Sequence, residues 1–314
     1  MIEVDSPSGT KGRLLIRLTH ADEAAHDAVK SLLSHQFSAK HTGYLISVED
    51  FPIFDQRLIE LGSEVDGTAT PAAEQAIAAF ETRKAELSAL KKGPADHALL
   101  NAIKGWKTKP YDDQLKCMQF HIARGRSLEG SETGVGKTLT MLYTFLYWRT
   151  VGQAKKGVIF CVNSGKLDWE REVGDHTDLR VLAVGNGSRG VLDDLRKFKH
   201  GQYDILVIHY DAIMTNARSK VDVFSYLKEM SFDFVALDEV HTLKNPEAIR
   251  HKRIMTLIDQ WPTAKIICAT GTAIDGNPKS AWAPLRIVAD PKAYFPPYAL
   301  FYRHFVIRKD RYFG

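Results

Sequence analysis

Residues 131–138 decide the fold, because they read Ser-Glu-Thr-Gly-Val-Gly-Lys-Thr and run directly into a helical pattern, Leu-Thr-Met-Leu. A phosphate chain is bound by backbone N–H groups that approach it closely, which glycine permits, and by a helix N-terminus, which favours negative charge. Lys137 would then reach the β- and γ-phosphates, and the Thr138 hydroxyl would lie on Mg²⁺. The predicted nucleotide-binding residues here are Thr133, Gly134, Val135, Gly136, Lys137 and Thr138.

A second signal lies about a hundred residues downstream, where residues 234–241 read Phe-Val-Ala-Leu-Asp-Glu-Val-His. This is an apolar strand that ends in two carboxylates, and ligands of doubly wound sheets gather beyond the carboxyl ends of the strands. We expect Asp238 to hold Mg²⁺ through water and Glu239 to orient and deprotonate the attacking water. Alone, the pair would more often be a cap at a strand exit, but its place after Lys137 favours the catalytic interpretation.

Short apolar runs, most of them rich in β-branched residues, alternate with helical segments through the rest of the chain. Strands separated by helices indicate an α/β fold with a parallel sheet covered on both faces. The candidate strands are residues 158–162, 181–184, 205–208, 234–237 and 266–269.

The first 66 residues predict a small α+β domain of order β-α-β-β-α. Its strand is residues 13–18, its helices are about 22–33 and 51–61, and its hairpin strands, 37–40 and 44–48, flank a glycine-containing turn. Residues 67–105 predict a helical linker, with Pro71 suited to a helix start and Gly93-Pro94 to its end. The nucleotide-binding domain would then occupy residues 106–314.

Composition sets outer limits on the function. The 314 residues are 44% hydrophobic and 25% charged, as in globular proteins, and no apolar run approaches the ~20 residues of a membrane span. The start of the sequence lacks the pattern of a secretion signal, so we expect a cytoplasmic protein with no membrane partner. Three widely spaced cysteines, Cys117, Cys161 and Cys268, predict reduced core thiols. The net charge of +4 is too small to indicate nucleic-acid binding by itself.

From about Trp106 onward the chain resembles a known family. Residues 238–245, Asp-Glu-Val-His-Thr-Leu-Lys-Asn, resemble the DEAH-box motif II of superfamily 2, Swi/Snf-type ATPases, with Val240 in place of the usual alanine. Residues 111–114, Tyr-Asp-Asp-Gln, resemble the Gln motif, which implies that Gln114 reads the adenine edge. The strict phosphate-loop pattern has glycine where Ser131 stands, and superfamily 2 commonly has a small residue there. The resemblance implies a RecA-like doubly wound sheet (a P-loop NTPase, first motor domain), ATP and Mg²⁺ as cofactors, and His241 as a further catalytic residue.

Two more segments resemble motifs that face DNA or couple to it. Residues 161–164, Cys-Val-Asn-Ser, together with Trp169 and Glu172, resemble motif Ia, which touches one DNA strand. Ser164 and Lys166 are the candidate contacts. For Trp169, a core position and a DNA contact stay open. Residues 269–278 resemble motif III, which couples nucleotide state to DNA grip, although Ala273 and Gly276 replace its proline and asparagine. Thr270 and Thr272 are the candidates there.

The N-terminal unit is similar to the HARP-type domain that precedes the motor in annealing helicases, and to small domains of UvsW-like phage fork-remodelling helicases. The similarity lies in the order of its elements and in residues 44–51, which run into a helix. In those relatives the domain helps to recognise branched or forked DNA. Because residues 1–66 are acidic on balance, intramolecular packing is an equal alternative. A nucleoid-associated protein, or a phage protein in the host cytoplasm, fits the same resemblance.

Together the resemblances imply an ATP hydrolase: an ATP-dependent DNA helicase or translocase that moves on, remodels or anneals duplex or forked DNA. No segment resembles a second RecA-like domain, whose arginine finger is worth roughly 10³–10⁵ in rate in related systems. The alternative is therefore a catalytically incomplete fragment or split subunit, which binds ATP and DNA and needs that second domain in trans. A small-molecule kinase is disfavoured, since the motifs follow helicase order.

Overall fold

The computed structural model describes residues 2–7, 13–18, 23–32, 35–60, 67–185, 188–214, 221–272, 278–289, 295, 297–299 and 301. The chain divides into two compact units, one of residues 1–89 with 289–314 and one of residues 90–288.

The first unit contains a five-stranded sheet of order β3-β4-β2-β1-β5. Its strands are β1 (Ile2–Asp5), β2 (Arg13–Leu18), β3 (Gln36–Ser38), β4 (Gly43–Ser47) and β5 (Gly67–Ala69), and its helices are α1 (Glu23–Lys30), α2 (Phe51–Glu60) and most of α3 (Pro71–Lys92). The β1–β5 pair is parallel, and the other described pairs of this sheet are antiparallel. Leu14, Ile16, Val29, Ile46 and Phe54 are buried between sheet and helices.

The strand at residues 13–18, the hairpin and both helices are confirmed, with ends shifted by up to three residues. The edge strands β1 and β5 were not predicted. Each has three or four residues, too few for an alternating pattern to stand out. Residues 67–69 were expected in a helical linker; in the structure they pair with β1, and the helix starts at Pro71.

The second unit contains a six-stranded sheet of order β6-β11-β10-β7-β9-β8, in which every pair is parallel. Its strands are β6 (Arg126–Glu129), β7 (Gly157–Cys161), β8 (Val181–Ala183), β9 (Ile205–His209), β10 (Phe234–Leu237) and β11 (Lys265–Ala269). Its helices are α4 (Asp112–Arg124), α5 (Lys137–Thr150), α6 (Lys166–His176), α7 (Ser188–Lys199), α8 (Val223–Lys228), α9 (Ile249–Gln260) and α10 (Trp282–Val288). The predicted α/β fold class is confirmed.

Both faces of this sheet are covered. Along β7, Val158 and Phe160 point into one apolar cluster, and Ile159 and Cys161 point into another. A strand buried on both sides has no solvent face, which explains why these strands read as continuous apolar runs.

Strand β6 was not among the predicted strands, because it follows helix α4 with only Gly125 between them. The helix ends at Arg124, since Gly125 takes a left-handed conformation (φ 69°) and donates its N–H to the carbonyl of His121. The chain then pairs Arg126 with Ile266 of β11. This strand brings residues 131–138 to the carboxyl edge of the sheet.

Among the helices that the structure describes, none combines the length and the apolar character needed to cross a membrane.

Candidate active site

The loop of residues 131–138 lies between β6 and α5. Gly134 and Gly136 have φ values of 86° and 83°, a region that glycine enters without steric cost. Lys137 is the first residue of α5, so the unpaired N–H groups of the first turn face the loop. The Lys137 Nζ donates to the carbonyl oxygens of Ser131 (3.0 Å) and Glu132 (2.8 Å). Its ammonium therefore lies within the loop, and Thr138 follows in the same turn.

Gln114 connects helix α4 to this loop. Its Nε2 donates to the Val135 carbonyl (3.0 Å), and its Oε1 accepts from the backbone N–H of Tyr111 (2.9 Å). A Cβ on Gly136 would lie 2.2 Å from the Gln114 Nε2, so any side chain at position 136 would displace the amide. Beside this connection lies an open cavity of about 730 Å³, lined by His97, Lys109, Pro110, Tyr111, Asp112 and Asp113.

Asp238 follows β10 directly, and its backbone N–H donates to the Phe160 carbonyl of the neighbouring strand (2.8 Å). Its Oδ1 accepts from the backbone N–H of Glu239 (3.0 Å), and its Oδ2 accepts from the indole N–H of Trp169 (2.9 Å). Burial raises the pKa of Asp238 and the Glu239 charge adds to the rise, while the Trp169 hydrogen bond and the Lys137 charge oppose it. A partly buried carboxylate with only partial compensation is a group that a cation would stabilise.

Trp169 was left open between a core position and a DNA contact. It is 3% exposed, which makes it a core residue. Nothing in the local sequence indicated that its N–H would point at Asp238.

Glu239 and His241 meet Thr270 at the end of β11. The Glu239 Oε2 lies 3.0 Å from the His241 Nδ1, and the Thr270 hydroxyl is 3.1 Å from the same nitrogen and 3.5 Å from the Glu239 Oε2. Glu239 adopts a left-handed backbone (φ 50°, ψ 49°), which is uncommon outside glycine and aims its side chain. Thr272 joins the group through its N–H, which donates to the Thr270 hydroxyl (3.1 Å).

The segment of residues 270–272 also touches the phosphate loop. A Cβ on Gly271 would lie 2.8 Å from the Thr133 Cγ2, so only glycine fits there without a shift. The structure thus brings together the loop, the acidic pair and the segment after β11 at the carboxyl ends of the strands.

The two candidate DNA contacts lie in different environments. Ser164 is exposed, in the short turn of residues 163–165 before α6. Lys166 was expected on the same surface, and the structure corrects this. It is 6% exposed, and its ammonium donates to the Val184 carbonyl (2.9 Å) just after β8. The buried ammonium holds that loop and does not face solvent.

A buried polar chain under the phosphate loop was missed. His121 and Glu129 are 2% and 5% exposed, and the His121 Nε2 lies 3.0 Å from the Glu129 Oε2. The other ring nitrogen of His121 meets the Ser127 hydroxyl (2.7 Å), and the Ser131 hydroxyl donates to the Glu129 Oε1 (3.0 Å). In the sequence, the alternation of Ser127 and Glu129 in the segment before the loop could have indicated these buried polar residues.

Comparisons with known proteins agree with this geometry. The family model described as SNF2-related domain matches residues 114–307. The chain is similar to the ATP-dependent helicase FUN30 of Saccharomyces cerevisiae, 25% identical over 186 residues, which cover 58% of this chain and 15% of that protein. It is also similar to the ISWI chromatin-remodeling complex ATPase ISW2 of the same yeast, 24% identical over 174 residues, which cover 54% of this chain and 15% of that protein.

One solved structure, the Sulfolobus solfataricus SWI2/SNF2 ATPase core in complex with dsDNA, superposes with a TM-score of 0.51 at 20% identity. The match covers 63% of this chain and 39% of that one. At this identity the likeness establishes the fold alone.

Proposed function

The chain belongs to the SNF2-related domain family, whose model spans residues 114–307, and from that premise we propose that it is the first motor domain of an ATP-dependent DNA helicase or translocase. The chain spans about 15% of the length of each of the two yeast relatives. Hydrolysis, DNA movement and partners are therefore part of the proposal.

One observation carries it: a lysine at a helix N-terminus, a carboxylate pair and a hydroxyl-bearing segment meet at one edge of the parallel sheet. Lys137 and the α5 N-terminus supply positive charge for phosphates. The cavity beside Tyr111 has room for a base, and Gln114 stands between that cavity and the loop. ATP is the ligand whose parts these features match.

The residues also fit a magnesium ion. Asp238 and Thr138 offer oxygen atoms, which Mg²⁺ prefers, and burial leaves the Asp238 charge undercompensated. No group of three or more His, Cys, Asp or Glu side chains within the described residues forms a metal cage. That suits Mg²⁺, which is usually held by one or two carboxylates, substrate phosphates and several waters. When bound, it would neutralise phosphate charge.

Glu239 is the proposed general base. Its left-handed backbone and its contacts with His241 and Thr270 fix the carboxylate beside Asp238, where it would accept a proton from the attacking water. Thr270 belongs to the motif III segment and contacts Glu239 and His241 of motif II. Thr270 and Thr272 would therefore transmit changes at Glu239 to the residues that bind DNA. Ser164 is the proposed contact with a DNA strand.

Duplex or forked DNA is the proposed substrate. The Sulfolobus solfataricus ATPase core was solved with dsDNA, and the yeast relatives are named as a helicase and a remodeling ATPase. We extend the proposal to an accessory role in fork recognition for residues 1–66 and to a motor domain at 106–314.

The test is ATP binding and hydrolysis by the purified chain, with and without forked DNA, beside a Lys137→Ala control. We expect binding that the control loses. DNA-stimulated turnover that the control loses would mean that the site is completed by self-association or by an unrecognised element of the chain. Binding without turnover would favour the second candidate, a half motor that needs a second RecA-like domain in trans. A chain that binds no ATP would refute both.

A further inference from the structure

We propose that Trp169 is a positioning residue for magnesium: its indole N–H fixes the Asp238 carboxylate in the orientation that the metal needs. The inference rests on the proposed function, in which Asp238 holds Mg²⁺. It concerns a residue of α6, an element outside the phosphate loop and the acidic segment.

Both oxygens of Asp238 are held from the protein side. The Glu239 N–H occupies one lone pair of Oδ1 at 3.0 Å, and the Trp169 N–H occupies one lone pair of Oδ2 at 2.9 Å. Each carboxylate oxygen has about two acceptor sites, so one on each stays available for the metal's water shell. Without Trp169 the carboxylate would be held at one oxygen and could turn. Mg²⁺ demands near-ideal octahedral geometry, so a rotated carboxylate would bind it less well.

Another buried tryptophan, Trp261, makes a different contact and provides a comparison. Trp261 is also 3% exposed, and its indole N–H donates to the backbone carbonyl of Met230 (2.8 Å). Both indoles need an acceptor, because an indole N–H can only donate and its burial without a partner is costly. Trp261 satisfies this need on the main chain, as an anchor in the core. Trp169 satisfies it on a charged group that faces the phosphate loop.

The experiment compares Trp169→Phe with the matched control Trp261→Phe. ATP binding is measured by calorimetry first in EDTA and then across a MgCl₂ titration. For Trp169→Phe we expect wild-type affinity in EDTA and a rise of about 10–100-fold in the Mg²⁺ concentration that gives half of the metal-dependent gain, the usual effect of losing an outer-shell partner. Trp261→Phe should keep the wild-type Mg²⁺ dependence, although both variants lose an indole from the core and melt earlier.

If Trp169→Phe keeps the wild-type Mg²⁺ dependence, the inference is wrong. It is equally wrong if binding weakens to the same extent in EDTA and in Mg²⁺, because that pattern marks a purely structural residue. Should Trp169→Phe fold poorly, a tryptophan analogue at position 169 with sulfur in place of the indole N–H keeps the ring shape and removes only the donor. Wild-type protein that binds no ATP in either buffer would instead count against the proposed function.

Discussion

The two ends of the six-stranded sheet use the same residue types in opposite ways. At the amino ends, Asp204 precedes β9 and is held by Arg149 (3.0 Å) and Arg180 (3.1 Å), while Asp233 precedes β10 and accepts two backbone N–H groups. At the carboxyl ends, Asp238 and Glu239 stand side by side, and their like charges raise the pKa of Asp238 beyond the effect of burial. Asp204 and Asp233, which precede strands, are paired with groups of the protein itself. Asp238, which follows a strand, is only partly compensated and can still bind a cation.

The pKa directions express the same contrast. Burial alone would raise the pKa of Asp204, but hydrogen bonds from Arg180 and the charges of Arg149 and Arg180 outweigh it and lower the pKa. At Asp238 the opposing groups are Trp169, the Glu239 N–H and Lys137, and the pKa stays raised. We therefore expect substitutions at the amino ends to cost stability, and those at the carboxyl ends to cost ligand binding.

The His121–Glu129 pair is the place where this contrast should break. It lies at the carboxyl end, yet it is bonded within the protein. His121→Leu should destabilise the second unit by about 3–5 kcal/mol, because it leaves Glu129 buried without its main partner. The double variant His121→Leu/Glu129→Leu should recover much of that loss. Urea unfolding measures both, and a double variant no more stable than His121→Leu would contradict the prediction.

Lys137→Ala tests the carboxyl end directly. Loss of charge-assisted hydrogen bonds to phosphate should weaken ATP binding on the order of 100-fold, or about 3 kcal/mol. The melting temperature without ligand should stay close to wild type, since the ammonium donates to two loop carbonyls and holds no strand or helix in place. Calorimetry and thermal melts separate the two effects. A large drop in melting temperature would argue that Lys137 is a structural residue.

Asp204→Asn tests the amino end. It removes the charge that Arg149 and Arg180 share, so we expect a loss of about 2 kcal/mol in unfolding free energy. ATP affinity should not change, because Asp204 lies at the amino ends of the strands, and the proposed nucleotide site lies at their carboxyl ends. Weakened ATP binding with unchanged stability would reverse the contrast.

The smallest expected effect is the pH dependence of the stabilisation that Asp204 provides. The pKa of Asp204 is lower in the folded chain than in the unfolded one, so its stabilisation is complete above the unfolded value of about 4 and fades as the pH falls through the folded value. The free-energy gap between wild type and Asp204→Asn should therefore narrow below about pH 4. Unfolding curves between about pH 6 and 3 measure it, and a constant gap would mean that the charge is not what stabilises.

The sequence predicted the features that are each formed by one continuous segment. The phosphate loop and the strand ending in Asp238-Glu239 are each continuous in sequence, and a parallel sheet necessarily brings strand ends to one edge. Their meeting therefore followed from the alternation of strands and helices.

What the sequence did not predict depends on contacts between distant segments. Trp169 donates a hydrogen bond to Asp238, and Lys166 donates one to the Val184 carbonyl. In each case the two residues are far apart in the sequence, and no local pattern indicates that they meet. Strand β6 was missed for a local reason: a single left-handed glycine, Gly125, turns helix into strand without a loop between them.

Strand β6 also has a consequence for how the chain folds during synthesis. It leads into the phosphate loop and is an edge strand of the sheet. Among the described strands it pairs only with β11, so residue 126 can pair only after residue 266 has been synthesised. Closing so long a loop is slow, because its entropy must be lost before the contact forms. A ribosome-bound chain that ends before β11 would carry all of residues 131–138 and still lack a fixed nucleotide site. Acquisition of ATP binding should thus mark the pairing of β6 with β11, rather than emergence of the motif.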